Sequence, residues 1–254
     1  MRTLRTLCTA ALASVAAVAL AAPASAHAAP DPTDPSSYDF SDCPTLPSDL
    51  DPAAWRCEVH LATGEITIGR NRISGIPIRL VHAEGPLPDG TTGQIFGTLQ
   101  SRPMVVPGGG AADHRLTVQV RYAGYADLIG NGPDPGGLYL MLAVRGPGLG
   151  EHCTIGTRTD PIRTHAARVG ATTTIPNDPP IKQFTLQDTA FTVPSASRCD
   201  RRDRRLDTRF GLPSAAGNTL TLQAAYTYRR YSSTSHIGTE GEAGLSGKPV
   251  RQPR

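Results

Sequence analysis

The sequence predicts an antiparallel β-sandwich, or an irregular barrel, held by two disulfides. Three observations point there. About nine or ten short stretches alternate apolar and polar residues with the two-residue period of a strand. Clusters of Gly, Pro, Asn and Asp separate them. No stretch keeps a helical period over three turns, and four cysteines remain once an N-terminal leader is set aside.

The leader is residues 1–26. Arg2 and Arg5 give a positive start, Leu7 to Ala22 a short apolar run, and Ala24-Ser25-Ala26 a cleavage site of the A-x-A kind. The run is short for a membrane span at 1.5 Å per residue. Cys8 lies ahead of the cleavage site without a lipid-attachment pattern, so no lipid anchor is expected. Cleavage removes Arg2 and Arg5, and the formal charge of +3 falls to about +1. That balance argues against nucleic acid or an anionic membrane surface as a partner. No later stretch is long and apolar enough for stable membrane insertion.

An even number of cysteines in an exported chain reads as disulfides. Cys43, Cys57, Cys153 and Cys199 allow three pairings. The pairs local in sequence, Cys43–Cys57 and Cys153–Cys199, are favoured. No C-x-x-C is present, only His60 and His152 lie near cysteines, and thiols would oxidise outside the cytoplasm. No metal residues and no cofactor are therefore expected.

Residues 27–52 are rich in Pro, Asp and Ser and read as a flexible arm pinned near its end by Cys43. Asp31, Asp34, Asp39 and Asp42 lack the spacing of a calcium loop. A sandwich domain is expected over residues 53–231 and a polar tail over 232–254. Ile66 and Ile68 mark a first strand. Ile76, Ile78 and Leu80 mark a second, with Pro77 on the opposite face. That proline cannot donate to a ladder, so an edge or a bulge is expected there. Gln94–Leu99 is a third candidate, and Met104-Val105-Val106 runs into a turn at Pro107-Gly108-Gly109-Gly110.

Residues 115–122 form the clearest strand, with Leu116, Val118, Val120 and Tyr122 on one face. Residues 130–137 read as a turn-rich loop, a place where two smaller sandwiches could divide; one continuous domain is the preferred reading. Leu138–Arg145 is apolar on both faces and is expected to be central. Ala171–Ile175, Ile181–Leu186 and Ala190–Val193 are shorter candidates. The last strand is Thr219–Tyr231.

Candidate chemistry is sparse. Ser214 follows Leu212-Pro213, which is the wrong flank for a nucleophile elbow. No pair of carboxylates is marked out for glycoside hydrolysis. The histidines at 27, 60, 82, 114, 152, 165 and 236 form no H-E-x-x-H motif. Two features remain as a candidate ligand surface. Arg201, Arg202, Arg204 and Arg205 lie in an Arg-rich run, and guanidinium forks bind carboxylate and phosphate. That run reads more simply as a surface loop in which aspartates neutralise part of the charge. Tyr226 and Tyr228 continue an apolar stripe whose rings could stack on sugars, although the stripe reads more simply as a core face ending at a wet edge.

Several pieces then fall into a pattern. Leu149-Gly150 precedes Cys153-Thr154-Ile155-Gly156; Phe191-Thr192-Val193-Pro194 precedes Cys199; and Gly211-Leu212-Pro213-Ser214-Ala215-Ala216-Gly217-Asn218 follows. In order and spacing this resembles a set of secreted actinobacterial proteins of unknown function, over about half of the mature chain. Asp200 stands where those proteins tend to have Gly, and the Arg-rich run at 201–209 departs from them. The resemblance implies secretion and a Cys153–Cys199 bond, and no reaction. The expected role is a non-catalytic one outside the cell or on the cell wall, through binding or structural contact. The partner would be a cell-wall polymer or another envelope protein. The alternative is a secreted glycan- or ester-cleaving hydrolase with a site built from distant loops.

Overall fold

The computed structural model describes residues 30–107, 116–127 and 134–232. The predicted leader, most of the C-terminal tail, Gly108–Gly110 and residues 128–133 lie outside them. The described chain forms twelve strands: β1 Arg56–Ile68, β2 Asn71–Pro86, β3 Thr92–Ser101, β4 Met104–Val105, β5 Thr117–Ala126, β6 Gly137–Arg145, β7 Thr154–Ile155, β8 Ile162–His165, β9 Ala167–Ile175, β10 Ile181–Asp188, β11 Ala196–Ser197 and β12 Thr219–Arg230. The fold is all-β, and every strand pairing is antiparallel.

One sheet runs β3-β2-β1-β12-β10-β9, and the other β11-β7-β6-β5-β4 with β8 also on β6. A single apolar cluster spans both. Ile66, Ile68, Ile78, Leu80, Leu220 and Leu222 come from the first sheet, and Val118, Val120, Leu138, Leu140 and Leu142 from the second. As the sequence predicts, β6 is central, flanked by β5, β7 and β8. The Ala190–Val193 candidate is not a strand; Val193 makes a single bridge to Ser214.

Pro77 has a simple place. It pairs with Thr63 of β1, and the β2–β3 ladder begins one residue later, at Ile78. The proline thus lies just outside the β2–β3 ladder and has a partner strand on one side only, an edge-like place, although β2 is otherwise internal. A bulge also lies nearby. Between the Gly64–Ile76 and Ile66–Ile73 pairs, β2 carries one more residue than β1. Gly75, with φ of 70°, supplies the left-handed turn this needs.

The disulfides close as predicted, Cys43–Cys57 and Cys153–Cys199. The arm is strand-free over its described part. Tyr38, Leu46 and Leu50 nonetheless bury themselves, Tyr38 with Val59, Leu61 and Val81 on the outer face of the first sheet, Leu46 and Leu50 with Trp55.

The Arg-rich run corrects the loop reading: residues Asp203–Phe210 form a short helix, α1. Its buried residues are Leu206 and Phe210, four apart and so on one face. The aspartates are engaged by backbone. Asp203 accepts the Cys199 N–H at 3.1 Å, and Asp207 that of Ala196 at 2.8 Å. Gly211 ends the helix with φ of 71°.

Candidate functional site

On the inner face of the first sheet the apolar rows stop and a polar cluster begins. Side chains two apart on a strand share a face. Arg56, Glu58 and His60 of β1 therefore stand beside His82 and Glu84 of β2 and Tyr226 and Tyr228 of β12. Register sets the rows: His60 opposite Leu80 and Tyr226, Glu58 opposite His82 and Tyr228, Arg56 opposite Glu84. The bulge at Gly75 decides this arrangement. Were the Ile66–Ile73 register continued as a regular ladder with every residue kept, Glu58 would face Val81, and His82 would point to the other face of the sheet.

The cluster is sealed. Glu58, His60, His82 and Glu84 are at most 5% exposed. His60 Nε2 lies 3.3 Å from Glu58 Oε2, and His82 Nε2 lies 3.7 Å from the same oxygen and 3.8 Å from Glu84 Oε2. Arg56 donates to the Oε1 atoms of both Glu58 and Glu84. Its guanidinium sits 5.4 Å from the centre of the Tyr228 ring and closes the cluster toward solvent. The His60 ring stacks between His82 and Tyr226, with centroids at 5.1 and 5.0 Å.

Electrostatics follow from burial and contact. Burial would raise the Glu58 carboxyl, but His60, His82 and Arg56 outweigh it and bring it down to about 2. Burial pushes the His60 imidazole below its ordinary value, with His82 adding to the effect and Glu58 opposing it. A carboxylate and a neutral imidazole are both competent metal donors. Glu58, His60 and His82 each offer one ligand atom, and these atoms lie within 4.8 Å of one another.

The predicted surface residues do not come together. Arg201, Arg202, Arg204 and Arg205 lie exposed at the start of α1. Arg202 turns back to donate to the Pro147 carbonyl at 3.3 Å. Tyr226 and Tyr228 belong instead to the wall of the buried cluster. Ser214 is structural: its hydroxyl donates to Asn218 Oδ1 at 2.9 Å, and the Asn218 amide donates to the Phe191 carbonyl.

A second feature is open to solvent. Tyr125, Tyr139, Arg158 and Arg163 line a cleft of about 300 Å³ between β5, β6 and the start of β8. The two rings lie 5.3 Å apart, and the Arg163 guanidinium sits 5.5 Å from the Tyr139 centroid. Asp134 organises the floor. It accepts the Tyr139 hydroxyl at 3.1 Å and pairs with His165 at 3.0 Å. Burial pushes the Tyr125 hydroxyl up to about 12, so it stays a neutral donor. Arg158 is exposed and makes no ion pair among the described residues.

No family model matches the chain, and no curated protein or solved structure shows significant similarity to it.

Proposed function

We propose that the mature chain works outside the cytoplasm as a non-catalytic binding module of the cell envelope. Its open Tyr125–Tyr139–Arg158–Arg163 cleft would take an anionic wall polymer. The convergence of two tyrosine rings with two guanidinium groups carries this reading. Rings present flat apolar faces with a polar tip, which suits a sugar. Arginine forks suit the carboxylates or phosphates that such polymers carry.

A further feature supports it. Closed disulfides in a chain of this size suit an oxidising compartment. The hydrolase alternative needs two facing carboxylates, or a serine against a histidine, in reach of a polymer. The residues lining the open cleft offer one carboxylate, Asp134. The facing carboxylates, Glu58 and Glu84, are sealed inside.

The test is co-sedimentation of purified mature protein with isolated cell wall. A Tyr139→Ala, Arg163→Ala double variant is expected to bind about tenfold less. An Arg201→Ala, Arg202→Ala variant, altered on the α1 side, is expected to pellet like the wild type. Equal pelleting of the cleft variant and the wild type, or no pelleting of either, overturns the proposal.

A further inference from the structure

We propose that Glu58, His60, His82 and Glu84 form a four-ligand site for a zinc-class divalent cation inside the sandwich. The residues come from adjacent strands: Glu58, His60 and His82 each bring one ligand atom within 4.8 Å of the others, and Glu84 Oε2 stands 3.8 Å from His82 Nε2 on the same inner face.

Spacing is the first support. Zinc bonds to imidazole and carboxylate are near 2.0–2.1 Å, so tetrahedral donors stand about 3.3–3.4 Å apart. Three of the six donor–donor distances are 3.3, 3.7 and 3.8 Å, and the donor atoms of Glu58, His60 and His82 all lie within 4.8 Å of one another. Binding would draw Glu84 in from its place beside His82.

Unmet polar atoms are the second. Both ring nitrogens of His60, both of His82 and Glu58 Oε2 are fully buried and make no well-aligned hydrogen bond, the nearest approach being His60 Nε2 to Glu58 Oε2 at 3.3 Å. Buried polar groups are nearly always satisfied, because leaving one unpaired forfeits its hydration without replacement. Three of these atoms, Nε2 of each ring and Glu58 Oε2, face one another and would share one occupant.

The surrounding shell is the third. Arg56 holds Oε1 of both glutamates and thereby turns Oε2 of each toward His82. Metal-ligating carboxylates are oriented this way by outer partners. Two carboxylates face one guanidinium in this sealed site, an arrangement that favours a cation.

The donor set selects the ion. Calcium and magnesium take shells of oxygen, whereas two imidazoles favour a first-row d-block cation. The four cysteines of the mature chain are in disulfides, so no thiolate competes. Four protein ligands and a sealed surround describe a closed structural site. Such an ion would tie β1 to β2 where apolar packing between the sheets ends.

The experiment uses the mature, disulfide-intact protein refolded with Zn²⁺, and separately with Co²⁺. About one zinc per chain should survive dialysis. The cobalt form should show the intense visible bands of a tetrahedral ion, and chelation should lower the Tm by several degrees. His82→Gln and His60→Gln should each weaken zinc binding by about 100-fold or more, while binding to cell wall stays unchanged. Should either fail to fold, Glu84→Gln serves instead, with altered cobalt bands and weaker zinc retention expected. A natively folded wild type that retains no zinc, as when a shared proton fills the role, overturns the proposal. Weak octahedral cobalt bands, or zinc retention unaltered in every folded variant, also overturn it.

Discussion

Phe96 of the first sheet and Tyr122 of the second stack with their rings 3.6 Å apart and nearly parallel, at 8°. This contact joins the two layers beside the Glu58–His82 row, since Phe96 is the register partner of His82. Tyr122 is largely buried, and that burial pushes its hydroxyl up to about 12, with Arg158 opposing and Tyr125 adding. In the unfolded chain the same hydroxyl titrates near 10. Its stabilising effect is thus complete below about pH 10 and is lost as pH rises through about 12. Tyr122→Phe keeps the ring and removes the ionisation. Urea unfolding at pH 9 should show the two proteins alike. Near pH 11.5 the variant should be the more stable, by about 1–2 kcal/mol after allowing for partial exposure. A wild type that matches the variant at both pH values would exclude Tyr122 as a source of alkaline instability.

The β1–β2 hairpin shows how one element positions the rest. Gly69 turns the chain with φ of 55° and donates its N–H to Asn218 Oδ1 at 3.2 Å. A Cβ there would meet the Phe210 carbonyl oxygen at 2.3 Å, at the end of α1. Backbone cannot yield as a flexible side chain can, so Gly69→Ala should lower stability by about 2–3 kcal/mol. Gly90, with φ of 79°, has open space around its Cβ position. Gly90→Ala should lower stability by about 1 kcal/mol from the backbone strain alone. Equal losses in thermal unfolding would show that conformation rather than contact governs Gly69. The strands themselves were legible, because alternation records a single buried face. Their contact geometry was not. Glu58-x-His60 and His82-x-Glu84 each obey the period of a strand, yet the Ser74–Gly75 bulge decides whether they share a face, and its effect on register leaves no mark in the alternation. Helix α1 escaped for another reason. Two turns, with Leu206 and Phe210 as the buried pair, offer too short a period to stand out among six arginines.

In the whole molecule the first sheet is covered on both sides, by the second sheet within and by the N-terminal arm without. That explains why β1 alternates poorly: residues Cys57–Ala62 are all buried. Composition marked residues 27–52 as an arm, but not that Tyr38, Leu46 and Leu50 would fill the outer face, since isolated apolar residues among prolines and aspartates carry no period. Three kinds of contact fasten the arm. Arg79 pairs with Asp42, the Tyr231 hydroxyl donates to the Pro44 carbonyl at 2.7 Å, and Cys43 is bonded to Cys57. A disulfide acts mainly on the unfolded chain, and one closing a sequence separation of 14 is worth about 3 kcal/mol. Its loss should also raise the fraction of molecules whose arm has lifted, because re-docking is no longer confined to a short loop. In a Cys43→Ala, Cys57→Ala variant, global stability should fall by about 2–4 kcal/mol. Under native conditions, limited proteolysis should cut within residues 30–52 while the sandwich stays intact. The uncovered Val59, Leu61 and Val81 should then bind a hydrophobic dye. An unchanged cutting rate together with an unchanged unfolding midpoint would show that packing alone holds the arm.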